Sequence, residues 1–510
     1  MRRRLLLLTL LLLPVTAVYL PVFKAGYTNW DDPYLTYNNP LVKDLGPAEL
    51  ARAFTAPRLG NYHPLADLSL ALESAALGER AAVHHAGNLL LHLANSALVF
   101  LLLAALLGAD LPALAGALLW ALHPAQAESA AWLAERKNLL YAFFYFSALL
   151  AYLRARAGWR RTALTAGLFL AALFSKGTAV TLPLALLALD WKEGRPLDRA
   201  NLLEKAGLLA LAGAFTAVAA AAQAARGTLL PASFTGLFSF YALKAAWPAG
   251  LSALYPYKAT LAAIKAAPLL YSLPAVIFAG ALGLAVWRGA RTAAFGLLFF
   301  FVNILPFTLL IPIGPALAAD RYLYLPLAGL AAALLAALAP AWRSARPVKL
   351  AAGCLLAALI FAEAALAAGR VKIWRSSETL WNSVLAASPS DEIANLNLAQ
   401  ALLERGDLAG ALPRLQAVLE ADPSNADALY NLGTALARAG RPAEALAPLR
   451  KAAFLKPESA PAWNNLGLAS LAAGRRAEAH KAFLMALEAD PAYAPARGNL
   501  AALERIPARR

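Results

Sequence analysis

MRRRLLLLTLLLLPVTAVYLPVF, residues 1–23, opens the chain with three arginines and then an almost unbroken apolar run. At about 1.5 Å of helix per residue, residues 5–23 match a bilayer core of about 30 Å. Comparable runs follow at 88–107, 207–225, 268–287 and 351–368. The 510 residues are 60% hydrophobic and 15% charged, whereas a soluble chain is about half apolar and roughly a quarter charged. Lipid must take up that excess. The same start also reads as a signal peptide with a weak cleavage candidate around Ala17, but the apolar stretch continues to Phe23 and many runs follow.

A net charge of +16 raises the question of nucleic acid, and the placement of that charge argues against it. Basic residues sit between apolar runs, at Arg2 to Arg4, Arg154, Arg156, Arg160, Arg161, Lys192, Arg195, Arg199, Arg288, Arg291, Arg343, Arg346 and Lys349. Short loops of this kind face the cytoplasm. On that basis spans are expected at 5–23, 88–107, 113–131, 139–153, 162–175, 178–190, 206–225, 268–287, 292–312, 321–339 and 350–368, about eleven in all. The pair 162–190, interrupted by Ser175, Lys176 and Gly177, reads as two thin spans or a re-entrant hairpin. An odd number with the N-terminus inside puts the C-terminal region outside the inner (cytoplasmic) membrane. Two outward loops are long, 24–87 and 226–267, and the first contains an amphipathic candidate at 47–55 with Leu50, Ala51 and Phe54 on one side. The single cysteine, Cys354, excludes an internal disulfide.

After Ile373 the pattern changes. Gly406, Gly440 and Gly474 recur every 34 residues, as do Pro423, Pro457 and Pro491. Leu398, Leu432 and Leu466, then Ala411, Ala445 and Ala479, keep the same step, and Trp463, Gly467, Phe483 and Ala486 complete a tetratricopeptide pattern. The fold expected is all-α: a polytopic membrane domain at 1–373, a linker at 374–390, three repeats at 391–492 forming an α-solenoid, and a capping helix and tail at 493–510. Asn397, Asn431, Asn464, Asn465 and Asn499 would line the concave face as a groove for a polypeptide or partner protein. Their bland reading is a polar helix surface.

Chemistry has few places to sit. Acids near a bilayer are costly unless they have a partner or a task. GYTNWDDPYLTYNNP places Asp31 and Asp32 just beyond the first span, where two carboxylates offer either a base for a hydroxyl or a cation site. The plain alternative is an Asp-Pro turn. His63, His84, His85, His92 and His123 lie between 63 and 123 without metal-ligand spacing, so donors facing an anionic phosphate are a better reading than zinc. HPAQAESAAWLAERKN gathers His123, Glu128, Glu135, Arg136, Lys137 and Asn138, with Glu128, Trp132 and Glu135 on one helical face. Arg136 and Lys137 stand at the outward end, where a lipid phosphate would justify them. Asp320 and Arg321 in ADRYLYLP join the same rim.

In order along the chain, WDDPYLTYNNP (30–40), NYHPLADLSLALE (61–73), HHAGNLLLHLANSALVFLL (84–102), WALHPAQAESAAWLAERKNLLYAFF (120–144), FSKGTAVTLPLALLALDW (174–191) and ADRYLYLPLAGL (319–330), followed by repeats, resemble bacterial relatives of the transmembrane and tetratricopeptide-repeat O-mannosyltransferases, of the C-type superfamily of membrane glycosyltransferases. The resemblance implies inverting transfer of a sugar, mannose or another hexose, from a polyprenyl-phosphate donor to serine or threonine hydroxyls of extracytoplasmic protein. It implies Asp31 or Asp32 as catalytic acid pair, Asp31 first, with His63, His123, Glu128, Arg136, Lys137, Lys176, Asp320 and Arg321 around donor phosphate or acceptor. Asn138 stands where many relatives carry aspartate, which weakens a metal shared with the first loop. No metal or other cofactor is called for, and a divalent cation at the acids is the one candidate left open. Two alternatives remain: a C-type transferase acting on a lipid, glycan or cell-wall polymer, and a non-enzymatic membrane-anchored repeat scaffold. A transporter would need paired internal repeats, which the sequence does not display.

Overall fold

The structure, a computed structural model, describes residues 2–58, 62–196, 198–223, 234–309 and 316–505. It is nearly all helical and divides into two compact units, Met1–Ser376 and Ser377–Arg510.

The first unit is the apolar one. Arg2–Lys24, Ala81–Leu107, Arg199–Val218 and Arg346–Ile373 are long and apolar enough to cross a membrane. Asp110–Leu122, Leu273–Trp287, Arg291–Ile304 and Leu327–Arg343 are shorter apolar helices. Several expected spans are interrupted. The run 113–131 stops at Leu122, because His123 turns extended before Pro124, and resumes as the short helix Gln126–Ala131. The run 321–339 begins as a tight turn, Asp320–Leu323, before its helix Leu327–Ala337. Residues 162–190 form two helices, Trp159–Ser175 and Leu182–Glu193, parted by the turn Gly177–Thr181. The end of the expected span 292–312 and the start of the loop 226–267 fall outside the described residues.

Packing follows the small residues. Arg291–Ile304 lies against Leu327–Ala337, where Gly296 and Gly329 face each other so closely that a Cβ on either would overlap the other's carbonyl. In lipid, where apolar tails compete equally for contact, such close backbone approach is a main source of helix association. Away from the candidate site, Asp190 is paired with Lys205 at 3.0 Å and Arg195 at 3.0 Å and accepts from the Tyr152 hydroxyl at 2.9 Å. That knot ties two of the basic loops together. The loop 24–87 carries Pro47–Thr55 with the expected bounds, but only Phe54 of its apolar face is partly covered, by Leu41, Ala53 and Ala71, while Leu50 and Ala51 are exposed. One departure from an all-α chain is a short antiparallel ladder pairing Tyr255 with Ala318 and Pro256 with Ala316.

The second unit stacks helix pairs in the expected register: Glu392–Glu404 with Leu408–Ala421, Ala426–Arg438 with Pro442–Leu455, Ala460–Ala472 with Arg476–Ala489, then Ala494–Arg505. Asp391, Asp407, Asn425 and Ser459 cap four of these helices through side-chain oxygens. Gly406, Gly440 and Gly474 turn each pair at positive φ of 84, 73 and 76°. The expected linker 374–390 is instead largely a helix, Ser377–Ala387, whose Leu380, Trp381, Val384 and Leu385 are buried against the first repeat. Asn397, Asn431, Asn465 and Asn499 are partly exposed, and several of the asparagines bond within the unit. Asn464 is buried and accepts from Asn499 at 2.8 Å, and Asn465 donates to Tyr430 and Thr434 at 3.1 and 3.0 Å. Asn397 donates to Ile393 of its own helix. Asn464, Asn465 and Asn499 thus link neighbouring repeats.

Replacing Gly467 by leucine should destabilise the third repeat by about 1–3 kcal/mol, because any Cβ there overlaps the Phe483 ring. Hydrogen exchange across 460–489 in the intact chain is expected to accelerate; unchanged protection would contradict the packing.

Candidate functional site

The site is assembled from four separated segments, 28–34, 73–92, 123–138 and 320–324, with Lys176 as a fifth contributor. Asp32 joins the first to the third. Its carboxylate accepts from the Thr28 amide at 2.7 Å, the Thr28 hydroxyl at 2.8 Å and the Ala134 amide at 3.0 Å. Burial pushes its pKa up to about 6, against those hydrogen bonds and with a further push from Asp31. Asp31, next to it, is half-buried and close enough to Lys137 to favour its charged form. The acid pair is therefore divided: one carboxylate is a staple and the other is partly open. Asp32 spends its carboxylate on three donors, which leaves it less free to serve a cation. Among the described residues no three His, Cys, Asp or Glu converge as metal ligands.

Trp30 stacks on Trp132 with centroids 4.6 Å apart, and this holds the acid pair over the turn that follows Glu128. That turn is not one helix. Gln126–Ala131 ends where Trp132 becomes extended, and Leu133–Glu135 is a tight turn, so the expected single face of Glu128, Trp132 and Glu135 does not form. Glu128 and Glu135 meet through Arg321 instead. Arg321 donates from its backbone to Glu128 at 2.9 Å and from its guanidinium to the same carboxylate, while its Nε lies 3.4 Å from Glu135. Lys137 and Lys176 approach Glu135 at 3.2 and 3.7 Å. Three cations thus surround one fully buried carboxylate. Burial raises Glu135, but Lys137, Lys176 and Arg321 overcome it and hold the group at about 2. Burial, with Lys137 and Arg321 nearby, lowers Lys176 to about 8.

Asn138 explains itself chemically. Its amide nitrogen donates to Ser129 at 2.6 Å and to the Arg321 carbonyl at 3.0 Å, and its oxygen accepts from Lys176 at 2.9 Å. An ionised aspartate there would have no hydrogen to donate. The cations also lie over aromatic faces, Arg321 over Trp132 and Tyr322 and Lys176 over Tyr322 and Tyr141, at 5.1–5.9 Å from the centroids.

Other expected site residues are committed elsewhere. Arg136 is buried and forms a fork to Glu73 at 2.6 and 2.9 Å, with further bonds to Asn88 and the His84 carbonyl. Gly87 is needed there, because a side chain would strike the fork. Glu73 completes a chain through His84 at 3.0 Å to Ser74 at 3.2 Å. His123 lies within bonding distance of the Ala245 carbonyl and accepts from the Ala125 amide. His63 sits 3.5 Å from Asp67, which also faces Arg58 at 3.6 Å. Asp320 accepts from Tyr255 at 2.6 Å and pairs with Arg370 at 3.2 Å. Sequence reasoning did not include Glu73, Asn88, Tyr255 or Arg370, and gave Glu135 no role of its own. Glu73 closes one of the quoted motifs, so only its partner, 63 positions away, was hidden.

Residues 359–413, 396–460 and 460–493 match tetratricopeptide-repeat family models, so the chain carries tetratricopeptide repeats. Solved structures similar to part of the chain include the first tetratricopeptide domain of human RPAP3, at 22% identity and a TM-score of 0.22 over 23% of this chain and 92% of that one. MamA is similar at 24% identity and a TM-score of 0.24, over 25% of this chain and 74% of that one. Among curated proteins, the protein O-mannosyl-transferase Tmtc1 of Drosophila melanogaster is 35% identical over 124 residues. That stretch is 24% of this chain and only 14% of the relative's length.

Removing Arg136 takes the counter-charge from Glu73, which is partly exposed and still bonded to His84, and empties the buried space of the guanidinium, a loss of up to about 3 kcal/mol. Arg136→Ala should therefore lower the melting midpoint of the detergent-solubilised protein sharply, and Arg136→Met combined with Glu73→Leu should recover part of it. A single variant that melts like the parent would show that the fork is unimportant.

Proposed function

We propose that the chain is a polytopic membrane glycosyltransferase that moves a sugar from a polyprenyl-phosphate donor to hydroxyl groups of extracytoplasmic protein, with inversion. The observation that carries the reading is the group Lys137, Lys176 and Arg321 around Glu135, each cation about one-eighth exposed, with the partly open Asp31 beside it. The three cations gather at a partly accessible site against the carboxylates of Glu135 and Glu128, and each keeps an exposed edge from which to donate. A phosphate would complete it. The match to part of an O-mannosyl-transferase and the apolar helices agree with this reading.

In the reaction, the acceptor oxygen forms a bond to the anomeric carbon as the bond from that carbon to the donor phosphate oxygen breaks. The hydroxyl proton passes to Asp31. The leaving phosphate stays on its lipid carrier, and its developing charge is held by Lys137, Lys176 and Arg321, so no strong acid is needed. Asp32 and Glu128 hold the two loops. About eleven crossings, the N-terminus inside and the repeats outside the inner membrane complete the arrangement, with the repeats presenting a polypeptide acceptor or partner.

The test is transfer of radiolabelled sugar from a panel of polyprenyl-phosphate donors to periplasmic extract by the protein in liposomes. Asp31→Asn should reduce turnover about 10²- to 10⁴-fold, the range for loss of a general base, while the protein stays folded. Label in lipid or glycan instead of protein would replace the acceptor, and no transfer from any donor would favour a repeat scaffold. Lys176 carries its charge below about pH 8 and loses it above. The KM for donor should therefore rise as pH passes 8, and Lys176→Arg should remove that rise.

A further inference from the structure

The helix Arg346–Ile373 is the last element before the repeat unit, and its final turn reaches into the candidate site at three points. Trp374 is fully buried and stacks on Trp132 with centroids 5.1 Å apart and planes 16° apart, on the ring that also stacks with Trp30. The Nε1 atoms of Trp132 and Trp374 are buried without an acceptor among the described residues, so ring faces, not hydrogen bonds, fix this column. Arg370 donates to the Leu251 carbonyl at 2.9 Å and to Asp320 at 3.2 Å. The Arg375 carbonyl accepts from the Gly26 amide at 3.1 Å. Two of these contacts land beside residues of the proposed chemistry: Trp132 lies between Glu128 and Glu135 and stacks on Trp30, which precedes Asp31, and Asp320 precedes Arg321.

From this we infer that Arg370 and Trp374 are positioning residues. They set the spacing between the acid loop and the cation group, and they transmit the state of the last turn before the repeats to that site. Neither touches the reacting atoms. A bilayer-spanning helix needs neither an arginine aimed at a buried aspartate nor a tryptophan inserted between loops, since an anchor would place both at the headgroups. Buried stacking and a charge pair instead make the position of this turn discrete, because a ring column and a paired carboxylate tolerate little sliding.

The kinetic part of the inference rests on the transfer reading above; the structural part does not. The first measurement is hydrogen exchange on the intact protein in nanodiscs, comparing the parent with Trp374→Ala, Trp374→Phe and Arg370→Gln. Exchange at 28–35 and 128–137 should rise several-fold in Trp374→Ala and Arg370→Gln, return in Trp374→Phe, and stay unchanged in Ala81–Leu107. Unchanged exchange in those two loops, or a uniform rise across the unit, would overturn the coupling. The second is transfer kinetics. Trp374→Ala should lower kcat about 10- to 100-fold, the effect of a misplacement near 1 Å, with the donor KM nearly constant and with rescue by phenylalanine. Equal kcat in parent and variant would overturn the positioning role. A parent protein without transfer would remove the proposed activity, and the exchange result alone would then decide whether the turn is coupled to the loops.

Discussion

Glu135 is the constraint around which the membrane unit is organised. A carboxylate with no exposed surface among apolar helices is tolerated only if positive charge surrounds it, and the cations must come from wherever the chain can deliver them. Lys137 comes from the next helix, Lys176 from a break between two helices, and Arg321 from a turn nearly two hundred residues on. Each delivery dictates backbone. The helix before Lys176 ends at Ser175, the segment before Arg321 stays extended, and Asn138 must be an amide so that it can donate to Ser129 while accepting from Lys176.

Periodicity was readable directly. A 34-residue step fixes a helix pair because side chains recur on the same face of each unit, and the turn glycines fall at positive φ as that step requires. Apolar runs likewise announced helices, and 47–55 was found to the residue. The interruptions were less visible. Composition sees a continuous apolar stretch at 113–131, while His123 before Pro124 and the extended Trp132 divide it into separate pieces. An i, i+4, i+7 argument holds only within one helix, so Glu128 and Glu135 had to be joined by Arg321 rather than by helical spacing.

Partnerships across long stretches of chain were not readable at all. Asp31 and Asp32 are equivalent as letters, yet Asp32 finds the Ala134 amide 102 positions away and becomes structural. Arg136 and Lys137 are equally adjacent. The first turns inward to Glu73 and the second toward Glu135, because consecutive helical positions point about 100° apart. Histidines gathered between 63 and 123 suggested donors for a ligand, but His84, His85, His92 and His123 lie within bonding distance of protein groups. Buried ring nitrogens are costly to leave unpaired, and the nearest partners for most of these are backbone carbonyls and neighbouring side chains.

The remaining asymmetry is between carboxylates that are fully engaged and the one that is not. Asp32, Glu73, Glu128, Glu135 and Asp320 all have donors or cations within bonding or pairing distance, and each fixes the distance between two loops. Asp31 keeps some exposure while lying within the field of Lys137, whereas Glu73, also partly exposed, is held by Arg136 and His84. A catalytic base has to reach a substrate proton, which a carboxylate saturated with donors cannot do without breaking the framework. The same framework keeps three cations close together despite their mutual repulsion. A site built this way has its positive charge arranged before any anion arrives, so little reorganisation is needed when charge develops there.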